Sequence, residues 1–231
     1  MRTRPVIAID GPVGAGKSTV AKALAAALAF EYLNTGAMYR ALAVAVRYNQ
    51  LAPDDPAFDS RLEQILKTIT ITFEGERVLL AGNDISGEIS APEIGDQASR
   101  LSTRAAVRAR MRELQRAAGE HGGVVMEGRD IGTAIFPDAE FKFFLTAEVA
   151  VRAARRFAEL KAKGIAIREA EVLAQLEERD RRDRERDLAP LIRADDAIVI
   201  DSSKLGVDEV VSAMKARVEK GTHDIKGLKR G

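Results

Sequence analysis

Residues Gly11 to Thr19 read GPVGAGKST, and they constrain this chain more than any other stretch. Gly11, Gly16, Lys17 and Ser18 occupy the fixed places of the phosphate-loop pattern G-x-x-x-x-G-K-[ST]. The pattern carries meaning only between a strand and a helix, and both are expected here. Pro5 to Asp10 (PVIAID) is a short apolar run of the kind a buried parallel strand shows. After the loop, Val20, Leu24 and Leu28 recur every fourth residue among alanines, which predicts a helix with one apolar stripe. The chemistry explains the residue types. Glycines let backbone N–H groups turn around an anion without Cβ clashes, and the helix start adds the positive end of its dipole. The nine residues Gly11, Pro12, Val13, Gly14, Ala15, Gly16, Lys17, Ser18 and Thr19 are therefore the expected triphosphate cradle. Lys17 reaches the transferred phosphate and Ser18 holds Mg²⁺, with Glu127 and Asp10 as further candidates for the metal.

Composition narrows what surrounds this loop. The 231 residues suffice for one large domain or two small ones, and the 46% apolar share suits a packed globular core. Lys plus Arg (36) nearly balance Asp plus Glu (35), which argues against a general nucleic-acid or membrane-surface binder. With no cysteine there is no disulfide or thiolate metal site, and a cytoplasmic location is expected. His121 and His223 are the only histidines, leaving little for a zinc site or a histidine base. The apolar run near the N-terminus is too short for a signal peptide, and no run approaches membrane-spanning length.

Along the chain, strands and helices alternate. A short strand from Glu31, a turn at Asn34-Thr35-Gly36 and a helix toward Asn49 are followed by a Pro/Asp-rich loop, Leu51 to Ser60. A helix is expected over Arg61 to Lys67. Thr68 to Asp84 then alternates Thr with Ile and Phe around Glu74-Gly75-Glu76, a β-hairpin signal inside an otherwise strand–helix pattern. It reads as an inserted subdomain or as an antiparallel edge of the main sheet. Pro92 to Ala118 is helical in character and arginine-rich. Gly122 to Gly128 and Glu140 to Thr146 read as strands, and Glu148 to Lys163 and Arg168 to Asp187 as helices. Ala197 to Ile200 is the last strand, Val207 to Lys220 the last helix, and the tail from Gly221 is expected to fray. The alternation implies an α/β fold with a mostly parallel, doubly wound sheet. Ligands on such a sheet sit beyond the carboxyl ends of its strands, where Gly11 to Lys17, Thr35-Gly36 and Glu127 to Asp130 should converge.

Three further stretches offer polar chemistry. Thr35 to Arg40 (TGAMYR) places a hydroxyl and an arginine at a helix start, either a second anion site or a capped surface helix. Glu127 to Gly132 (EGRDIG) sets Arg129 beside Asp130 at a strand end, as a pocket or as a structural ion pair. Arg179 to Asp187 (RDRRDRERD) is nine charges in a row. On a helix Arg179, Arg182, Asp183 and Arg186 share one face, which is either solvated or poised over a transferring phosphoryl group with Arg152, Arg155 and Arg156.

Taken in order, GPVGAGKST, NTGAMYR, DISGEIS, EGRDIGTAIFPDA and RDRRDRERDLAPLIRADDAIVIDSS resemble the bacterial cytidylate kinases, from Val6 to about Ser203. The resemblance implies a P-loop kinase core, a β-rich monophosphate-binding insert and a short helical lid. The corresponding division is core at 1–60, 104–151 and 188–231, insert at 61–103 and lid at 152–187. It implies γ-phosphoryl transfer from ATP, with Mg²⁺, to CMP or dCMP by a monomer. Thr35, Arg40 and Arg129 would hold the acceptor's phosphate, and Ser99, Arg108 and Asp130 would read its base. Arg179 and Asp183 would touch the sugar, and Arg186 with Arg155 or Arg156 would engage the transferring phosphates. Lys17, Arg129, Asp130, Arg179, Asp183 and Arg186 form the expected catalytic set. Asn34 departs from the family's usual aspartate, and Ser99 to Arg108 lacks a strong motif. A kinase for another small acceptor and a nucleotide-dependent switch are the rival readings of the same residues.

Overall fold

The computed structural model describes residues 2–228 and divides into two compact units, residues 1–33 with 119–231, and residues 34–118. The first unit is built on five strands in the order β2-β6-β1-β7-β8: β1 (Val6–Asp10), β2 (Glu31–Asn34), β6 (Val124–Gly128), β7 (Phe141–Thr146) and β8 (Ile198–Asp201). β1 runs parallel to β6 and β7, with Ile7 opposite Val125 and Phe141, and β7 runs parallel to β8. Every residue of β1 and β6 is buried, as expected of central strands covered on both faces. On one face, α1 (Lys17–Leu28) and α8 (Val207–Leu228) pack Val20, Leu24, Met214 and Val218 against Ile7, Ile9, Val125, Phe143 and Leu145. Two further helices, α6 (Val149–Ala162) and α7 (Glu169–Glu185), make a satellite cluster through Ala153, Leu160, Val172 and Leu176.

The helix α8 does not stop at Lys220 but continues to Leu228. Gly221 is inside it for packing: a Cβ there would stand 2.7 Å from the Phe141 ring. Of the expected tail, residues 229–231 lie outside the described residues.

The second unit holds α2 (Thr35–Tyr48), α3 (Phe58–Thr68), α4 (Pro92–Leu101) and most of α5 (Ala105–Gly119). Its separate antiparallel sheet, β3 (Ile71–Glu74), β4 (Arg77–Leu80) and β5 (Asn83–Asp84), pairs Ile71 with Leu80 and Glu74 with Arg77 across Gly75. The hairpin is thus a sheet of its own and not an edge of the large one. The arginine-rich stretch is two helices because Ser102 and Thr103 donate their hydroxyls to the carbonyls of Ser99 and Arg100, local bonds that compete with helix continuation.

Candidate active site

The phosphate loop joins β1 to α1 and is shaped by close contacts. Gly11 has φ +151°, and a Cβ there would lie 1.9 Å from the Leu145 carbonyl oxygen, so no side chain fits. Gly16 caps α1 in the left-handed conformation, φ 88°, and no side chain caps the helix or places an acid in its first turn. The start of α1 thereby keeps its positive end for an anion. Lys17 is buried and donates from Nζ to the Pro12 carbonyl at 2.7 Å. Burial, reinforced by the charges of Arg129 and Arg179, brings its pKa down to about 7 against the pull of Glu127 and Asp183.

Beside the loop, the C-terminal end of β6 supplies the acids and arginines. Ser18 Oγ donates to Glu127 Oε1 at 2.7 Å, and the Tyr32 hydroxyl donates to the same oxygen at 3.4 Å. A hydroxyl and a carboxylate side by side at a phosphate loop are the hard oxygen donors that Mg²⁺ takes together with substrate phosphates. Among the described residues there is no cluster of three or more His, Cys, Asp or Glu able to hold a metal without such help. Asp10, the last residue of β1, accepts the backbone N–H of Ile131 at 2.9 Å and of Gly132 at 2.8 Å. It thereby fixes the turn that carries Arg129 and Asp130. Burial raises its pKa to about 6 even though both of these bonds favour the charged form.

The charged run at the end of α7 turns one side inward: Asp180 and Asp183 are buried, while Arg181, Arg184, Glu185 and Asp187 stay exposed. Asp183 is buried and accepts from Arg129 Nε at 2.7 Å, while Arg129 Nη1 also donates to the Gly128 carbonyl. Burial alone would raise Asp183, but the cations of Arg129, Arg179 and Arg186 hold its carboxyl below the ordinary range. Burial likewise opposes the charge on Arg129, and Asp183 more than compensates. Arg186 lies 3.5 Å from Asp130 and 3.8 Å from Asp183, with a buried side chain. It reaches them from beyond the helix: α7 ends at Glu185, and Arg186 is in extended backbone at φ −65°, ψ 139°. Arg182, expected on the same face, is set apart at 3.6 Å from Glu178. Arg155 and Arg156 are committed elsewhere. Arg155 donates to Ser202 Oγ and O at 3.1 and 2.7 Å, and Arg156 pairs with Glu159.

Sequence reasoning missed Asp180 and Ser202, and left Arg152 among the lid arginines. Arg152 is buried and paired with Asp180 at 2.6 Å. The signal for Asp180 was available, since Val172, Leu176, Asp180 and Asp183 follow one another at helical spacing on the buried face.

In the second unit, Asn34 Oδ1 accepts the Ala37 N–H at 3.0 Å, so the residue in place of aspartate caps α2 without a charge. Thr35 is buried in the first turn of that helix, and Arg40 Nη1 donates to the Ile89 carbonyl at 2.7 Å. Ser99 on α4 and Arg108 on α5 are both buried, Arg108 Nη1 reaching the Ser102 carbonyl at 3.5 Å. Thr35, Ser99 and Arg108 are thus buried on helices, and Arg40 stands half-buried on α2.

A family model described as cytidylate kinase matches residues 7–220. A cytidylate kinase of Methylococcus capsulatus is 46% identical over 220 residues, covering 94% of this chain and 98% of the relative. One from Chlorobaculum tepidum is 45% identical over 218 residues, covering 93% of each. Among solved structures, an uncharacterized protein from Eubacterium ventriosum superposes with a TM-score of 0.53 at 14% identity, covering 94% of this chain and 99% of its own, a likeness of fold alone. The matches run through the phosphate loop, the inserted hairpin and the arginine-rich helix end alike, and the chain belongs to the cytidylate kinase family.

Proposed function

We propose that this chain transfers the γ-phosphoryl group of ATP to CMP or dCMP, giving ADP and CDP or dCDP. The observation that carries the reading is the set of groups gathered at the phosphate loop: Lys17 is buried with Nζ on the Pro12 carbonyl, Ser18 donates to Glu127, and Arg129 is held on Asp183. Burial first, and then the cations Arg129 and Arg179, lower the pKa of Lys17, a cost that a polyphosphate offsets. An oxygen of the acceptor's phosphate attacks the γ-phosphorus as the bond to the β-bridging oxygen breaks, and ADP leaves. No covalent enzyme intermediate is needed, because positioning and electrostatics supply the rate. The loop amides and Lys17 hold the donor's phosphates. Arg129 and Arg186, oriented by Asp183 and Asp130, face the charge that moves. Ser18 and Glu127 would hold Mg²⁺, which when bound neutralises phosphate charge.

For the acceptor, Thr35, Arg40 and Arg129 are assigned to the phosphate, Ser99, Arg108 and Asp130 to the base, and Arg179 and Asp183 to the sugar. Cytosine offers an exocyclic amino donor where uracil offers a carbonyl acceptor, so a pocket carboxylate favours the first. Residues 61–103 act as the acceptor insert and 152–187 as the lid, the stretch between Arg152 and Asp180 closing while those two residues stay against the phosphate loop. Arg155 and Arg156 join the ATP side only on closing, by leaving Ser202 and Glu159. The enzyme is proposed to work as a monomer in the cytoplasm. Among the described residues, no helix is long and apolar enough to cross a membrane.

ADP release by the purified chain with CMP, dCMP, UMP, AMP and shikimate as acceptors tests the reading. Turnover with CMP and dCMP well above the other three is expected. A preference for AMP or shikimate, or binding of ATP without turnover, would sink it.

A further inference from the structure

A phosphate loop presents its amide N–H groups to an anion only while its carbonyls are held the other way. Among the described residues, three side chains hold them. Lys17 Nζ donates to Pro12 O, Arg152 Nη1 to Val13 O at 2.9 Å, and Ser202 Oγ to Ala15 O at 3.2 Å. Lys17 is itself assigned to the donor's phosphates, whereas Arg152 is locked in place away from them. Its Nε donates to the Ala147 carbonyl at 3.0 Å, and Nη1 also meets Asp180 Oδ2 at 2.6 Å. The two side chains are 7% and 2% exposed. The loop rests on α6 at this residue: a Cβ on Gly14 would come within 3.1 Å of Arg152 Cβ and 3.3 Å of its carbonyl oxygen. One guanidinium thus bonds the loop, the β7–α6 junction and α7.

Stability does not explain this pair. An apolar pair of similar volume often serves a core as well as a buried ion pair does. Asp180 Oδ1 also has no hydrogen bond among the described residues, so the carboxylate is only half satisfied. What an apolar pair would lack is the donor to Val13. Asp180 follows Arg179 directly and precedes Asp183 by three residues, so whatever fixes Asp180 fixes the arginine group at the end of α7.

We infer that Arg152 is a positioning residue for phosphoryl transfer: with Asp180 it ties the arginine-bearing end of α7 to the back of the phosphate loop, so that loop and arginines keep one register around the triphosphate. It acts through Val13 and Asp180 and touches no substrate. The inference rests on the proposed role of Arg179, Asp183 and Arg186.

The decisive variant is the double substitution Arg152→Met with Asp180→Leu, which keeps the packing and removes the tie. A melting temperature near wild type is expected, with kcat/KM for ATP down about 10- to 100-fold, the range a small misplacement of reacting groups produces. A folded double variant with kcat/KM for ATP within about threefold of wild type overturns the inference. Should the double variant fail to fold, Arg152→Lys decides. It keeps the charge beside Asp180 but cannot also span to Val13 and Ala147. An ATP kcat/KM about tenfold lower at unchanged melting temperature supports the tie, and wild-type kinetics overturn it. Arg186→Met is measured in parallel. If it leaves kcat unchanged, the role given to α7 has failed whatever the Arg152 variants do. If it lowers kcat while they do not, only the tie has failed.

Discussion

Lys17 should cost this protein stability, and removing its charge should show it. The side chain is buried, and its pKa falls from the ordinary 10.5 to about 7. At 1.36 kcal/mol per tenfold change in proton affinity, that drop corresponds to about 5 kcal/mol of disfavoured charge. The sign follows from linkage. Between pH 7 and 10.5 the unfolded chain holds a proton on Lys17 that the folded chain has released, so this group's contribution to stability rises with pH across that window. Below pH 7 both states are charged and the full cost is present. Replacing Lys17 by Met also loses the bond to the Pro12 carbonyl, worth about 1 kcal/mol. Lys17→Met should therefore be more stable than wild type by about 3–4 kcal/mol at pH 6, with the gain shrinking to nothing by pH 10. Urea unfolding of both proteins at pH 6, 8 and 10 gives the difference directly, and other titrating groups cancel. A Lys17→Met protein no more stable at pH 6, or a gain that grows with pH, would refute the burial account of Lys17. The same cost is what a bound triphosphate offsets, so ATP binding at pH 8 should take up a proton. Calorimetric titration in buffers of different ionisation enthalpy reads that uptake.

Other outcomes follow from single contacts. Gly11→Ala forces a Cβ into the Leu145 carbonyl and should leave little folded protein, read by soluble yield and circular dichroism. Asn34→Ala removes the cap of α2 and should cost about 1 kcal/mol in urea unfolding, whereas Asn34→Asp keeps the cap and should leave the KM for CMP within about threefold of wild type. Asp130→Ala should lower kcat/KM for CMP about 10- to 100-fold more than for UMP at saturating ATP, since a wrongly paired base edge costs about 1–3 kcal/mol. Equal losses for both acceptors would move base selection to Ser99, Arg108 or the backbone.

Much of the fold was legible because its signals are local. The glycine loop between an apolar strand and an amphipathic helix specifies β1–loop–α1 almost unaided, and the Thr/Ile alternation around Gly75 specifies the hairpin. What escaped depends on partners distant in sequence. Gly221 looks like a helix stop until Phe141 is known to lie against it. Nine consecutive charges look solvated until Arg129, fifty-four residues earlier, is found on Asp183. Arg152 looks like its neighbours Arg155 and Arg156, and only the position of Val13 and Asp180 separates it from them. Ser202 closes the last family motif without any chemistry of its own to single it out, and its role against Ala15 and Arg155 comes from where β8 ends.

The central claim is that the γ-phosphoryl group passes to a cytidine monophosphate at the Lys17 loop. Transfer of label from γ-labelled ATP to CMP, followed for wild type and Lys17→Ala side by side at equal folded concentration, tests it most directly. The account predicts labelled CDP from wild type and a rate at least ~10²-fold lower from the variant, the loss expected when a charge that stabilises the transition state is removed from a buried site. Label released as inorganic phosphate with no CDP, or equal CDP formation by both proteins, would contradict it.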